Sequence, residues 1–215
     1  MAANLSTHLP IIAVGTVSGN QEQIFNYLEG ATQTFNPGTP VVISSGAVVA
    51  STSALSSTNQ LVGIAMYAGH NLTSAGKGAS PVFGSIGFPG GSPTFGSVPN
   101  QSSAVNLLHG SPFVDGLMPV QLALEDTIFE VQVDNSTGAS FTASNADLGK
   151  YAALVTDANS WWYLDRNTIA TSPGTLACVI VSLNPQDLAA GSTTTQVANG
   201  RVRVRFLPLA SQLVG

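Results

Sequence analysis

The sequence predicts an all-β protein: an antiparallel β-sandwich or β-barrel-like domain with a long extended arm and a loop excursion, and at most one short helix. Three observations carry this. Charged residues make up only 8% of the 215, where an ordinary soluble domain has roughly 25%. Helical bundles need many Glu, Lys, Arg and Leu on exposed turns, whereas here Ser, Thr, Asn and Gln supply 67 residues. The apolar residues, 44% of the chain, fall in short β-branched runs bounded by Gly, Pro, Ser and Asn, which is the signature of strands. That apolar share also argues against disorder.

Residues 1–34 read as an N-terminal arm with the one short helix. Asn20 can cap NQEQIFNYLEGA, Glu22 sits in its first turn, Ile24, Phe25 and Leu28 share a side, and Gly30 stops it. Residues 35–215 read as the β domain. TPVVIS and AVVAST flank a Ser45-Gly46 turn and form a hairpin, followed by LVGIAMYA. Residues 70–118 interrupt the pattern with Gly, Ser and Pro, yet Phe83, Ile86, Phe88 and Phe95 recur there. A structureless loop of that length is uncommon in a compact domain, so its aromatics are expected to pack on their own domain or on a neighbouring subunit.

Strands return as MPVQLAL, TIFEVQVD, YAALVTD, WWYLD, LACVIVSL and RVRVRFLPL. In TIFEVQVD and RVRVRF every second residue is apolar, so one face of each is buried. A faint internal repeat relates residues 39–68 to residues 151–183, each running strand, turn, strand, spacer, apolar strand.

Chemistry is sparse. Six basic residues and a net charge of −5 cannot neutralise a phosphate track, which disfavours nucleic acid. No apolar run approaches the roughly 20 residues of a membrane span, and the N-terminus lacks the basic segment and apolar core of a signal peptide. NLTSAGKG lacks the first Gly and the hydroxyl of a phosphate loop. His8, His70 and His109 are dispersed, Glu125 and Asp126 point opposite ways in a strand, and the lone Cys178 lies in an apolar run. No catalytic residue, metal ligand or cofactor site is expected.

Two features stand out as partner contacts. Arg201, Arg203 and Arg205 line one face of one strand, suited either to cross-strand pairing or to bidentate contact with acidic groups on a partner. Trp161, Trp162 and Tyr163 place an aromatic on each face of another strand, so Trp162 is a candidate for a stacking or subunit-packing surface.

The order of FNPGTPVVISSGAVVAST, LVGIAMYAGHN, EDTIFEVQVD, DLGKYAALVTD, WYLDRNTIATSP, LACVIVSLNPQD and RVRVRF resembles the capsid decoration, or cement, proteins of tailed bacteriophages. The likeness covers residues 35–70 and 119–207; the arm and the excursion lie outside it. The resemblance implies a non-enzymatic structural protein on the outer surface of the virion capsid, made in the bacterial host cytoplasm. It would clamp neighbouring major capsid protein subunits and assemble with itself, as a homotrimer in preference to a dimer. Arg201, Arg203, Arg205, Phe83, Phe88, Phe95 and Trp162 are the expected contacts. The alternative is a carbohydrate-binding or host-adhesion β module of the virion or cell surface.

Overall fold

The computed structural model describes residues 9–51, 54–55, 61–69, 117–135 and 141–208. Its strands are β1 (Ile12–Thr16), β2 (Ile24–Leu28), β3 (Pro40–Ser44), β4 (Ala47–Ala50), β5 (Ala54–Leu55), β6 (Gly63–Ala65) and β7 (Leu117–Leu122). They continue as β8 (Thr127–Asp134), β9 (Tyr151–Ala152), β10 (Leu154–Thr156), β11 (Trp162–Asp165), β12 (Cys178–Leu183) and β13 (Arg201–Phe206). The only helical pieces among the described residues are three-residue 3-10 turns. The protein is all-β.

Two sheets account for the strands, and each curls back on itself. In the first the order is β2-β7-β6-β3-β4, and a parallel bridge between Glu29 and Val48 returns β4 to the end of β2. In the second the order is β10-β11-β8-β13-β12-β9. Since β9 and β10 are one extended segment bent at Ala153, pairing with β12 at its start and β11 at its end closes this barrel too.

The two barrels are built alike, residue for residue. Val41 lies opposite Gly63 as Ala152 lies opposite Cys178, and Ile43 opposite Val48 as Leu154 opposite Leu164. Phe25 lies opposite Val120 as Phe129 lies opposite Val204. Each barrel is closed by one parallel contact, Glu29 with Val48 and Val133 with Leu164. The faint repeat in the sequence is therefore half of a duplication of topology and register among the described strands, in which β2, β3, β4, β6 and β7 match β8, β9–β10, β11, β12 and β13.

The barrels differ in what they receive. Ahead of its closure with β11, β8 also pairs with β1, and β10 pairs with β5. Both extra strands come from the first half of the chain. They bring Ile11, Ala13 and Leu55 into the core of the second barrel, beside Phe129, Val131, Leu154, Leu164 and Phe206. Phe129 and Leu154 are consequently 0% exposed. Their counterparts in the first barrel, Phe25 and Ile43, are 55% and 38% exposed.

The helix expected within residues 20–30 is instead strand β2, and the arm before it contains β1. Asn20 caps nothing helical, because Ile24–Leu28 is held over its whole length by an antiparallel ladder to β7. Gly30 serves close approach rather than helix termination. Its N–H donates to the Val48 carbonyl at 2.8 Å, and a Cβ there would lie 2.6 Å from Val49 Cγ1.

Candidate functional site

Alternation along β13 sends Val202, Val204 and Phe206 into the barrel core and the three arginines outward. Outside, they meet the other face of β8, whose Glu130, Gln132 and Asp134 are all nearly buried. Glu130 accepts from Arg201 Nη1 and Arg203 Nε, both at 3.1 Å, and from Asn184 Nδ2 at 3.0 Å. Arg201 also forks onto Asp187. Arg201 and Arg203 are thus cross-strand partners within the chain. A buried carboxylate requires such pairing. In Arg205, by contrast, Nε is buried with no hydrogen-bond partner among the described residues.

Beyond Glu130, the same face of β8 leads to Asp134, which neighbours Asp165 of β11 in the parallel pairing. Burial raises the Asp134 pKa, and the charges of Asp165 and Asp157 add to this against the Asn135 N–H. Burial, with the same three aspartates around it, pushes the Tyr163 phenol up to about 12. These acids work locally. Asp157 Oδ1 accepts from Asn159 and Trp161 N–H at 2.8 and 2.9 Å, and Asp165 Oδ1 from Asn167 N–H at 3.0 Å. Among the described residues no group of three His, Cys, Asp or Glu is placed to hold a metal ion. Cys178 is fully enclosed; its thiol donates to the Ala152 carbonyl at 3.3 Å, and burial pushes its pKa up to about 12, far from a reactive thiolate.

Trp162, the candidate for a stacking or subunit-packing surface, does not present an exposed face. It is 5% exposed and packs in the core of the second barrel, because Trp162 and Leu164 take the inward face of β11. Tyr163, on the outer face, is buried as well and packs with Val155. Trp162 nevertheless borders a cleft of about 340 Å³ between the two barrels. Loop residues Thr32, Gln33, Thr34 and Phe35, with Thr39, Ala50 and Ser51, form one wall; Thr156, Ser160 and Trp162 form the other. No ionisable group among the described residues lines it. The buried hydroxyls of Thr39 and Ser51 have no hydrogen-bond partner among those residues either. Thr32 and Ser160 have φ near +60°, a region uncommon for any residue other than glycine and strained for the β-branched Thr32. Composition gave no hint of this cleft, since its hydroxyls come from separate segments of a chain rich in hydroxyls everywhere.

The surface has one more feature. Six of the ten exposed large apolar side chains among the described residues fall between Ile12 and Leu28, on β1, β2 and the turn joining them. A helical reading of Ile24, Phe25 and Leu28 concealed this. Phe83, Phe88 and Phe95 lie outside the described residues, as do His8, His70 and His109. Comparison with protein families, with curated proteins and with solved structures finds no match to this chain.

Proposed function

We propose that the chain is a non-enzymatic structural protein that decorates the outer surface of a tailed-phage capsid and clamps neighbouring major capsid protein subunits. The observation that carries this reading is the concentration of exposed apolar side chains between Ile12 and Leu28. Exposed apolar side chains gathered on one stretch of chain are a mark of an interaction face. A surface of hydroxyls and amides around it suits wet interfaces that bury no unpaired charge. Arg205 is the ladder arginine offered to an acidic group on the shell, since Arg201 and Arg203 are occupied by Glu130 and Asp187.

The test is the copy number of the protein in purified particles, relative to the shell protein, together with rebinding of the purified chain to stripped particles. Hundreds of copies are expected, with Val14→Asp and Val17→Asp weakening rebinding at least tenfold. Absence from particles overturns the reading.

The cleft favours a second reading, a carbohydrate-binding module. An uncharged, hydroxyl-rich cavity with Phe35 and Trp162 on its walls suits a neutral sugar. Saturable binding of monosaccharides or disaccharides in calorimetry, lost in Thr39→Val, would favour it over the capsid reading.

A further inference from the structure

The duplication shows one place that no strand fills among the described residues. In the second barrel β1 lies antiparallel along β8, with Ile12 opposite Glu130 and Ala13 opposite Phe129. Register equates Phe129 with Phe25 and Glu130 with Asn26. The matching edge of β2 has no strand on it among the described residues until Glu29 meets Val48. Its exposure agrees: Ile24, Phe25 and Leu28 are 47%, 55% and 48% exposed. Phe25 shares the inward face with Tyr27, which packs on the core of the first barrel. It is a core-side aromatic lacking the cover that its counterpart receives.

Backbone parity shows what this edge offers. The Leu122 N–H donates to the Gln23 carbonyl at 2.9 Å, so Gln23, Phe25 and Tyr27 direct their backbone groups at β7. Ile24, Asn26 and Leu28 therefore direct theirs outward, on the side from which the Gly30 N–H reaches Val48. An unpaired strand edge with alternate apolar side chains is a template for strand addition.

We propose that a second copy of the chain occupies this edge through antiparallel pairing of β2 with β2 about a twofold axis at Asn26. The seat left by the missing β1 counterpart requires an antiparallel strand, and a twofold axis provides one automatically. Asn26 then faces its own copy in a hydrogen-bonded pair, Ile24 faces Leu28, and Phe25 faces Tyr27, joining the uncovered aromatic to a second ring. Residues 23–28 carry no charge, and the paired stretch ends at Leu28, because from Glu29 and Gly30 onward the edge is held by Val48, so no like charges meet. The pairing uses only β2 and stands whether or not the chain binds a capsid.

Sedimentation velocity on the full chain across a concentration series tests this, beside Asn26→Pro and Asn26→Cys. Proline at an outward-pointing edge position removes only the N–H offered to the partner. The wild type is expected to dimerise, and Asn26→Pro to raise the dissociation constant at least tenfold with an unchanged circular dichroism spectrum. Asn26→Cys should oxidise to a covalent dimer, against a background set by the enclosed Cys178, while Val197→Cys, at an exposed site elsewhere, should not. A monomer at every concentration overturns the proposal. So does a closed trimer, or a dimer that keeps its affinity in Asn26→Pro and leaves Asn26→Cys uncrosslinked.

Discussion

Arg201 holds Asp187 three ways. Its Nε and its backbone N–H both donate to Oδ2 at 2.8 Å, and its Nη2 donates to Oδ1 at 3.1 Å. The side-chain hydrogen bonds are the main cause of a lowered Asp187 pKa, helped by the backbone N–H and the charge of Arg201, with burial opposing. A carboxylate depressed on folding stabilises the fold above its unfolded pKa of about 3.9, and that stability is lost as pH falls through the folded value. Asp187→Asn should cost about 1.5–3 kcal/mol at pH 7. Urea titrations between neutral pH and the acid limb should show the difference from wild type shrinking as Asp187 protonates.

Asp134 has the opposite sign. Its pKa is raised, by burial first and then by Asp165 and Asp157, so the ionised form costs stability that protonation relieves as pH falls through the folded value. Asp134→Asn is expected to raise the urea midpoint at pH 7. The gain should fade in acid, and a loss at pH 7 would contradict the assignment.

Gly63 is confined on both sides by backbone. It lies in the ladder between β3 and β7, where a Cβ would run into the Gln121 carbonyl and stand 2.7 Å from Val120 Cγ1. Gly63→Ala must part β6 from β7, at a cost of about 3 kcal/mol or more. Gly191 offers a contrast, since a Cβ there would meet nothing within 4 Å. Only the positive φ of +76° opposes alanine at that position, at about 1 kcal/mol. Denaturation midpoints of the two variants check the order.

Ser45 and Gly46 join β3 to β4 with φ of +50° and +81°, the double-positive conformation of a two-residue type I′ turn. Serine is a poor choice for the first position and asparagine a good one. Ser45→Asn should stabilise by about 0.5–1 kcal/mol, read as a rise of about 1–4 °C in the thermal midpoint. Ser45→Val, β-branched at positive φ, should lower it.

This hairpin was legible in sequence because the turn residues and the β-branched runs flanking it are neighbours. So were β8 and β13, whose alternation is complete over six residues or more. What escaped was decided at long range. IFNYL fits a helical spacing as readily as a strand; the ladder to Leu117–Gln121, some ninety residues on, makes it β2. β1 was obscured by Gly15, where φ is +150° and the register shifts against β8. The arginine face was readable from period alone, but Glu130 and Asp187 come from other elements. Half of the duplication was visible because residues 39–68 and 151–183 share their order of turns and runs. The rest was hidden because β2 and β8 share a register but little sequence.

The loan of β1 and β5 to the second barrel has a consequence for synthesis. Residues 12–55 leave the ribosome well before β8 and β10 exist, so the first barrel can gather its own five strands while its two lent strands wait for hosts not yet made. The apolar Ile11, Ala13 and Leu55 stand open through that interval, and the last half of the chain cannot finish its interior without them. Cutting the gene between the barrels would therefore leave the trailing half short of five core side chains, Leu61 and Ile64 as well as these three. Vectorial production makes this chain one cooperative unit, although its architecture counts as two.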